Sequence, residues 1–332
     1  MIKILENKYD KKDVTQRYTE IITKSISKLT WDFKHISNIN DIKRNDIVVT
    51  TNIDDAIKVL LLKRASVINW YQGIRPEESF VRNNSNLRKI ILDRIESFVL
   101  KKSLLNIFVS YGMKEYYNDK YSFNKSNYFI MPCFNTKINT IDKNKFNQPN
   151  INFTYIGGLS KWQCIEETLK IYKEIEKNNK NVFLKFLTPD IDEGKKMLEK
   201  YDIRNYEIKY VDNSLISNEL KDVKYGFLIR KENPINYVST PTKLSTYLSN
   251  GIIPITTKSI YDVNKLMAQK EYKIFIDLNE NIESIAREII SADKNINNEN
   301  NMIREYSDIF NKYYAEDYYI EQLSKCLCER IK

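Results

Sequence analysis

The segment Val238-Ser-Thr-Pro-Thr-Lys-Leu-Ser-Thr-Tyr-Leu-Ser-Asn-Gly-Ile-Ile-Pro-Ile255 predicts a loop, a short helix and then a buried strand. Ser239 or Thr240 can cap this helix, and Pro241 suits its first turn, where a missing N–H group has no helical partner to lose. Gly251 ends the helix, and two isoleucines begin the strand. A helix that leads directly into a buried strand is typical of α/β proteins.

The predicted start of this helix has the chemistry of an anion site. Its first backbone N–H groups lack helical acceptors, and they lie beside the hydroxyls of Ser239, Thr240 and Thr242 and the cation of Lys243. A phosphate group binds readily at such a position. The alternative is an ordinary capped helix whose lysine is solvated.

Length and composition narrow the class of protein. The 332 residues are enough for two domains, and a hydrophobic share of 42% supports a real core. The chain contains no run of 18 apolar residues and no apolar secretion signal at its N-terminus, so we expect a cytoplasmic protein. His35 is the only histidine, and the four cysteines lack metal-site spacing, so zinc binding and histidine catalysis are not expected.

The net charge of +9 does not predict nucleic-acid binding, because lysines are spread along the chain and alternate with Asp and Glu, as in residues 190–200. The excess suits weak attraction to anionic membrane lipids or to phosphorylated substrates. The alternative is a genome that favours Lys, Asn and Ile codons.

Strand-like and helix-like segments alternate in the N-terminal half, which predicts a parallel sheet covered by helices on both faces. The predicted strands are Met1–Leu5, Asp46–Thr50, Val67–Trp70, Leu105–Ser110 and Tyr128–Pro132. The predicted helices are Val14–Ser27, Asp54–Lys63, Leu87–Lys102 and Met113–Tyr121. Residues 71–79 are predicted to form a polar loop.

The same alternation restarts after Thr140–Asn150, a polar segment that we expect to be a linker. The predicted strands are Asn152–Ile156, Val182–Leu187, Tyr206–Tyr210, Tyr225–Arg230 and Ile274–Asp277. The predicted helices, besides the one already described, are Cys164–Asn178, Ile191–Tyr201, Ile216–Lys221, Asn281–Ser291 and about Met302–Ile331. We therefore predict two doubly wound Rossmann-like domains, residues 1–145 and 150–304, with a ligand cleft between the carboxyl ends of their sheets.

Three elements follow predicted strands of the second half and converge on one crevice. They are the turn Gly157-Gly-Leu-Ser-Lys-Trp-Gln163, Arg230, and the helix start Pro241–Lys243. Glycine lets the backbone approach a ligand, and the cations suit a diphosphate. Each has a plain structural alternative, namely a tight turn, a surface arginine and an ordinary cap. Because no Walker loop and no Gly-x-Gly-x-x-Gly fingerprint occurs, an ATPase or a nicotinamide enzyme is not expected.

In the first half, the loop after the third predicted strand holds the densest polar chemistry. A carboxylate of Glu77 or Glu78 could orient or deprotonate an acceptor hydroxyl. The alternative is a loop that leads into a helix, where both glutamates complement the helix dipole. Ser110 is a further candidate, with ordinary strand-to-helix turn chemistry as its alternative.

These motifs, in this order, resemble the GT-B glycosyltransferases of the bacterial retaining "group 1" class, found in capsule, O-antigen and other surface-glycan pathways. The segments that carry the resemblance are Gln72-Gly73-x-x-Pro76-Glu77-Glu78-Ser79, Ile107-Phe-Val-Ser110, Met131-Pro-Cys-Phe-Asn135, Tyr155-x-Gly-Gly-Leu-Ser-Lys-Trp-Gln163 and Ser239-x-Pro-Thr-Lys-Leu-x-x-Tyr-Leu-x-x-Gly-x-x-Pro254. The last two are the most specific. Many members carry two glutamates eight positions apart, where this chain has Val238 and Thr246.

The resemblance implies a nucleotide-sugar donor in the second domain, a glycan or lipid-linked acceptor in the first, and a final helix, about 305–332, that joins the first domain. It implies no metal and no other cofactor. The implied catalytic residues are Arg230, Lys243, Glu77 and Glu78. The implied donor-binding residues are Gly157, Gly158, Ser160, Lys161, Trp162, Gln163, Ser239, Thr240, Pro241, Thr242 and Tyr247. The implied acceptor-binding residues are Gln72, Gly73, Arg75 and Ser110.

We therefore expect a hexosyltransferase that works in the cytoplasm or on the inner face of the cell membrane. Two alternatives stay open at this point. One is a non-catalytic GT-B relative that binds a nucleotide-sugar as a scaffold or sensor, and the other is a GT-B nucleotide-sugar epimerase.

Overall fold

The computed structural model describes residues 1–6, 13–30, 32–139, 141, 143–294 and 299–331. These residues form two compact units. Unit 1 comprises Met1–Asn135, Tyr237–Thr240 and Ala315–Lys332, and unit 2 comprises Thr136–Asn236 and Pro241–Tyr314.

Unit 1 contains a six-stranded parallel sheet in the order β2-β1-β3-β4-β5-β6. Its strands are β1 (Ile2–Leu5), β2 (Phe33–Ile36), β3 (Ile47–Thr50), β4 (Ser66–Tyr71), β5 (Leu105–Phe108) and β6 (Tyr128–Ile130). Its helices are α1 (Asp13–Ser27), α2 (Ile53–Lys58, continued by a π-helical turn Val59–Lys63), α3 (Arg75–Asn83), α4 (Asn86–Lys102) and α5 (Tyr111–Tyr121). The central strands are buried along almost their whole length, as expected of a parallel sheet with helices on both faces.

Unit 2 repeats the plan with the parallel sheet order β12-β11-β10-β7-β8-β9. Its strands are β7 (Ile151–Ile156), β8 (Val182–Leu187), β9 (Tyr206–Lys209), β10 (Tyr225–Leu228), β11 (Ile253–Thr256) and β12 (Ile274–Phe275). Its helices are α6 (Ile165–Asn178), α7 (Ile191–Lys200), α8 (Ile216–Glu219), α9 (Pro234–Tyr237), α10 (Thr242–Ser249), α11 (Tyr261–Met267), α12 (Ile282–Lys294) and α13 (Glu299–Lys312).

The final helix, α14 (Glu316–Ile331), packs against α1 in unit 1. Glu316 at its start pairs with Arg17 and Lys24 of α1, with N–O distances of 2.9 Å in both pairs. The single helix predicted over Met302–Ile331 is therefore wrong, because the chain leaves the helix after Lys312 and begins a new one at Glu316.

Most of the other predicted elements are present, and the differences have local causes. The strand β2 was not predicted because it exposes two polar residues, Lys34 and His35, at the sheet edge. The polar loop predicted over residues 71–79 is wrong after Ile74, because α3 begins at Arg75 with Pro76 in its first turn.

The predicted cap of α10 is also wrong. Pro241 is the N-cap residue of this helix and lies just before its first turn, and neither Ser239 nor Thr240 caps it. The Thr240 hydroxyl instead accepts a hydrogen bond from the backbone N–H of Cys133 (3.1 Å) in unit 1.

Of the predicted linker Thr140–Asn150, residues 140 and 142 lie outside the described residues. Lys143–Asn147 form a 3-10 turn in which the buried Lys145 donates to the carbonyl of Asn250 (2.5 Å). Within the described part of the chain, no helix combines the length and the hydrophobicity that crossing a membrane requires.

Candidate anion-binding site

The order of the second sheet reverses between β7 and β10, which lie side by side although other strands separate them in the chain. In doubly wound sheets, ligands bind beyond the carboxyl ends of the strands at such a switch point. Gly157 directly follows β7, and Arg230 follows β10 by two residues. The sequence placed both residues at strand ends, and the topology makes those strands neighbours.

Arg230 is almost completely buried, with 3% of its surface exposed. Its guanidinium donates hydrogen bonds to the backbone carbonyls of Gln163 (3.1 Å) and Ile229 (2.9 Å), and also to the side-chain oxygen of Gln163. Its backbone N–H donates to the Thr257 hydroxyl (3.2 Å). The side chain is thus fixed in one position by neutral acceptors alone.

Lys243 lies in the first turn of α10 and is buried, with 8% of its surface exposed. Its ammonium nitrogen donates to Oε1 of Gln163 (3.0 Å) and lies 4.1 Å from the centre of the Tyr155 ring. A methyl group at position 157 would lie 3.5 Å from the same nitrogen, so the backbone of the glycine turn is close to the ammonium group. Gly157 has a φ of +124°, which an L side chain rarely adopts.

The two cations share one neutral acceptor. Among the described residues, neither Arg230 nor Lys243 forms an ion pair with a carboxylate, and both point to the neutral amide of Gln163. Burial lowers the pKa of Lys243 well below its usual range, and the nearby Arg230 lowers it further. Burial likewise lowers the pKa of Arg230. Two buried, uncompensated cations at a switch point favour binding of an anion.

Hydrogen bonds with the side chains of Tyr155 and Asp190 hold the turn between β7 and α6. The Tyr155 hydroxyl donates to the carbonyl of Gly158 (2.6 Å), and Oδ2 of Asp190 accepts from the backbone N–H of Leu159 (3.2 Å). Ser160 and Lys161 are exposed, whereas Trp162 and Gln163 are half-buried. Of this predicted segment, the structure brings Gly157 and Gln163 to the cations.

Among the remaining predicted donor-binding residues, Tyr247 lies inside the fold. Its ring is completely buried against Gly226, and its hydroxyl donates to the carbonyl of Phe227 (3.0 Å). These contacts anchor α10 on the sheet. Thr242, in the first turn of α10, is half-buried. Ser239 and Thr240 belong to unit 1.

Glu77, in unit 1, is already engaged with other side chains. Its carboxylate pairs with Lys89 (2.7 Å) and Lys120 (2.9 Å) and accepts from the Tyr116 hydroxyl (2.8 Å). Although burial acts in the opposite direction, the hydrogen bonds from Lys89, Lys120 and Tyr116 lower the pKa of Glu77 to about 2. A carboxylate of this kind is a weak base, so these contacts disfavour an acid–base role for Glu77.

Glu78 has the opposite environment. Its carboxylate folds over Gly73, where an added methyl group would collide with Oε1. Burial raises the pKa of Glu78, while Arg82 and Arg75 act to lower it. A carboxyl group with a raised pKa is the better acid–base candidate of the pair. Arg75 itself is 3.4 Å from a carboxylate oxygen of Asp54.

Of the two other predicted acceptor-binding residues, Gln72 is exposed, and its amide contacts Thr15 (3.3 Å) and the carbonyl of Thr51 (3.4 Å). Ser110 is fully buried, and its hydroxyl both donates and accepts a hydrogen bond within unit 1. It donates to the carbonyl of Val238 (2.6 Å) and accepts from the backbone N–H of Met113 (2.8 Å), which caps α5.

Three residues at the site were not singled out from the sequence: Tyr155, Asp190 and Thr257. Tyr155 could have been identified from the sequence, because it belongs to the motif around the glycine turn. Its position inside a strand, however, predicted only burial. Asp190 and Thr257 follow β8 and β11, and only the folded sheet brings them to the site. Among the residues that the structure describes, no group of three or more His, Cys, Asp or Glu side chains could hold a metal ion.

Several solved structures share this fold. A structure of a TarM mutant from S. aureus in complex with fondaparinux, α-GlcNAc-glycerol and UDP matches 87% of the chain with a TM-score of 0.60 and 14% identity. Sucrose-phosphate synthase from Thermosynechococcus elongatus matches 99% of the chain and 99% of its own length, with a TM-score of 0.72 and 11% identity. A structure described as trehalose-6-phosphate from E. coli bound with UDP-2-fluoro glucose matches 95% of the chain and 78% of its own length (TM-score 0.61, 11% identity).

The similarity to these structures establishes the fold. The two doubly wound α/β units match the GT-B architecture, which confirms the predicted fold class. This chain spans 56% and 57% of two TarM structures. No protein-family model and no curated protein sequence matches it.

Proposed function

We propose that this protein is a glycosyltransferase that takes a sugar from a nucleoside diphosphate in unit 2. The observation that carries the proposal is the pair of buried cations, Arg230 and Lys243, which share the amide oxygen of Gln163 and have no carboxylate partner within the described residues. A diphosphate supplies the negative charge that this position lacks. The ligands named for the TarM and E. coli structures, UDP and UDP-2-fluoro glucose, belong to this chemical class.

The chemistry required of the site is stabilisation of a leaving diphosphate. When the bond between the sugar and the diphosphate breaks, negative charge develops on the phosphate oxygen. Fixed cations close to that oxygen stabilise the transition state more than the ground state, and they act strongly because the site is buried. Arg230 and Lys243 would supply this charge without a metal ion, and the proposal needs no cofactor besides the substrate.

The backbone of the glycine turn completes the proposed donor site. Gly157 brings the backbone of the turn close to Lys243, and the first N–H groups of α10 add positive partial charge. Thr242 lies in the same helical turn. For the acceptor side we propose Glu78 as the group that receives or orients a proton, because burial already raises its pKa.

We further propose a retaining reaction, a hexose as the transferred group, and a glycan or lipid-linked acceptor of a bacterial surface polysaccharide. These finer assignments rest on the motif resemblance. In a retaining front-face mechanism the leaving phosphate can itself accept the acceptor's proton, so the reaction does not depend on a strong protein base. The proposed place of work is the cytoplasmic face of the membrane.

A second candidate is a non-catalytic protein that binds a nucleotide-sugar as a sensor or scaffold. The residues found where many enzymes of the resembling class carry glutamates favour this candidate. Val238 and Thr246 occupy those positions and are both buried, with 1% and 3% of their surface exposed, so neither offers a carboxylate to the sugar or the ribose. This candidate predicts donor binding without transfer to any acceptor.

Thermal unfolding with a panel of UDP-, GDP-, CDP- and ADP-sugars tests the donor site. A ligand at a hundred times its dissociation constant adds about 2.7 kcal/mol to the free energy of unfolding. We expect at least one nucleotide-sugar to stabilise the wild type, and Arg230→Met to abolish the stabilisation. The matched control, Lys195→Met, changes an exposed lysine on α7. Stabilisation by none of the four classes would overturn the proposal.

A further inference from the structure

The helix α4 has an unusual distribution of side chains. Leu87, Ile90 and Ile91 are 71%, 52% and 50% exposed, and Phe98 is 36% exposed. The buried residues of α4 are Leu92, Val99 and Leu100 together with a fully buried glutamate, Glu96. Four large apolar residues are thus exposed on one helix, and a group of exposed apolar residues is a mark of an interaction surface.

The exposed apolar residues share their side of the helix with cations. Positions 87, 91, 94, 98, 101 and 102 follow the helical repeat and form one stripe. We call the α4 stripe the set formed by Leu87, Ile90, Ile91, Arg94, Phe98, Lys101 and Lys102. Its three cations are exposed and form no ion pair with any described residue. Both acids of α4, Asp93 and Glu96, lie off the stripe.

A neighbouring element extends the apolar character. The helix α2 contacts α4, and the π-helical turn that continues α2 exposes Leu61 (55%) and Leu62 (73%). Unit 1 therefore exposes apolar side chains on two helices that touch each other.

We propose that the α4 stripe docks unit 1 on an anionic lipid bilayer. Leucine, isoleucine and phenylalanine side chains insert at the boundary between headgroups and acyl chains, while arginine and lysine extend to the lipid phosphates. Because the stripe contains no acidic residue, its charged groups are all positive, which suits a negatively charged lipid surface. Self-association through the same stripe would gather the cations of both copies in one interface without an acid of the stripe to pair with them, which disfavours a dimer. This proposal is independent of glycosyl transfer.

Co-sedimentation with vesicles tests the proposal. We expect the wild type to bind vesicles of phosphatidylglycerol and phosphatidylcholine, and to bind pure phosphatidylcholine far more weakly. Reversal of the three cations (R94E, K101E and K102E together) should lower partitioning onto the anionic vesicles more than about 100-fold. The matched control reverses K180, K195 and K196, three exposed lysines of unit 2, and changes the net charge equally. It should retain most of the binding.

The apolar contribution is tested by a second matched pair. I91S changes a residue of the stripe that is 50% exposed, and L215S changes one of unit 2 that is 54% exposed. We expect I91S, but not L215S, to lower partitioning about fivefold or more. Thermal unfolding verifies that all variants are folded. Failure of the wild type to bind anionic vesicles overturns the proposal, as does equal loss in stripe and control variants. A concentration-dependent dimer that I91S disrupts, without vesicle binding, would make the stripe a protein interface instead.

Discussion

The Oε1 atom of Gln163 lies 3.0 Å from Nζ of Lys243, and it also accepts a hydrogen bond from Arg230. A neutral amide oxygen thus occupies the point toward which two buried cations are directed. Its partial negative charge satisfies their hydrogen bonds without neutralising them. The same point is where a phosphate oxygen of the proposed donor would bind, so Gln163 must give up these contacts or share them.

If a bound phosphate replaces the amide oxygen of Gln163 as the acceptor for the two cations, two substitutions of Gln163 should have opposite effects on donor binding. Gln163→Glu places a carboxylate between the cations, and charge-assisted hydrogen bonds are about twice as strong as neutral ones. We expect it to weaken nucleotide-sugar binding at least tenfold, because the carboxylate competes with the diphosphate. Gln163→Ala removes the competing acceptor and should bind at least as tightly as the wild type. Titration calorimetry measures both, and equal affinities for the two variants would refute the competition.

Lys243 is predicted to favour activity at the expense of stability. Lys243→Met removes a buried ammonium group that has no carboxylate partner among the described residues. The free energy of unfolding should rise by about 1–2 kcal/mol, since strained functional positions are often stabilised by substitution. Turnover should fall by about 10²–10³, as for other groups that stabilise a developing oxyanion. An active Lys243→Met enzyme would exclude Lys243 from the reaction.

Donor binding should be coupled to proton uptake. Burial and Arg230 lower the pKa of Lys243 in the free protein, and a bound diphosphate raises it again. Between these two pKa values the complex holds a proton that the free protein lacks, so affinity decreases as the pH rises through this range. Calorimetry in two buffers of different ionisation enthalpy, with the nucleotide-sugar that stabilises the wild type, measures the uptake. It should vanish in Lys243→Met; uptake that persists in that variant would point to another group.

Glu96 makes the stability of unit 1 depend on pH. Burial raises the pKa of its carboxyl group from 4.5 to about 8, although the Tyr121 hydroxyl, 3.0 Å away, acts in the opposite direction. The folded state therefore holds a proton that the unfolded state releases between these pH values. The contribution of this proton to the free energy of unfolding is complete below pH 4.5 and is lost as the pH rises to about 8. Between these values the free energy of unfolding falls by about 1.4 kcal/mol per pH unit.

Replacement by glutamine isolates this effect. Glu96→Gln should flatten the dependence of urea unfolding on pH between about 5 and about 8, because the amide resembles the protonated acid and does not titrate. Glu199→Gln, an exposed change on α7, should leave the dependence as in the wild type. A steep dependence that survives in Glu96→Gln would assign the proton to a different residue.

Gly226 is required for the position of α10. A methyl group at this position would lie 2.7–2.8 Å from three atoms of the rigid Tyr247 ring. Gly226→Ala should destabilise the protein by about 1–3 kcal/mol and weaken donor binding, since Tyr247 anchors the helix that carries Lys243. In Gly158→Ala the new methyl group meets only Asp190 at 3.5 Å, so its unfolding temperature should change little. Comparable stability of both variants would contradict this account.

The sequence predicted the elements of the fold better than the chemistry of individual side chains. Strand-end reasoning placed Gly157, Arg230 and Lys243 in one crevice, because parallel strands bring such positions to one edge of a sheet. It did not predict that the fold uses the hydroxyls of Tyr247 and Ser110 in internal hydrogen bonds. A motif shows that a residue is needed, but not whether a ligand or the core needs it.

The misses in secondary structure have a similar origin. The strand β2 lies at a sheet edge and exposes polar residues, so it lacks the apolar run by which buried strands are identified. The helix α3 begins with Arg75-Pro76-Glu77-Glu78, a polar group that also suits a loop. The motif around the glycine turn marked Gln163 as a donor-binding residue, but its contacts with Arg230 and Lys243 could not be predicted, since they join residues that are distant in the chain.

The pairing of β7 with β10, through Phe153 with Tyr225 and Thr154 with Gly226, joins segments that are far apart in the chain. Contacts of such long sequence separation close large loops and tend to form slowly during folding. Arg230 and the turn at Gly157 come together only through this pairing. A nascent or misfolded chain would therefore lack the proposed diphosphate site, and retention on immobilised nucleotide is expected to select the molecules whose second sheet is complete.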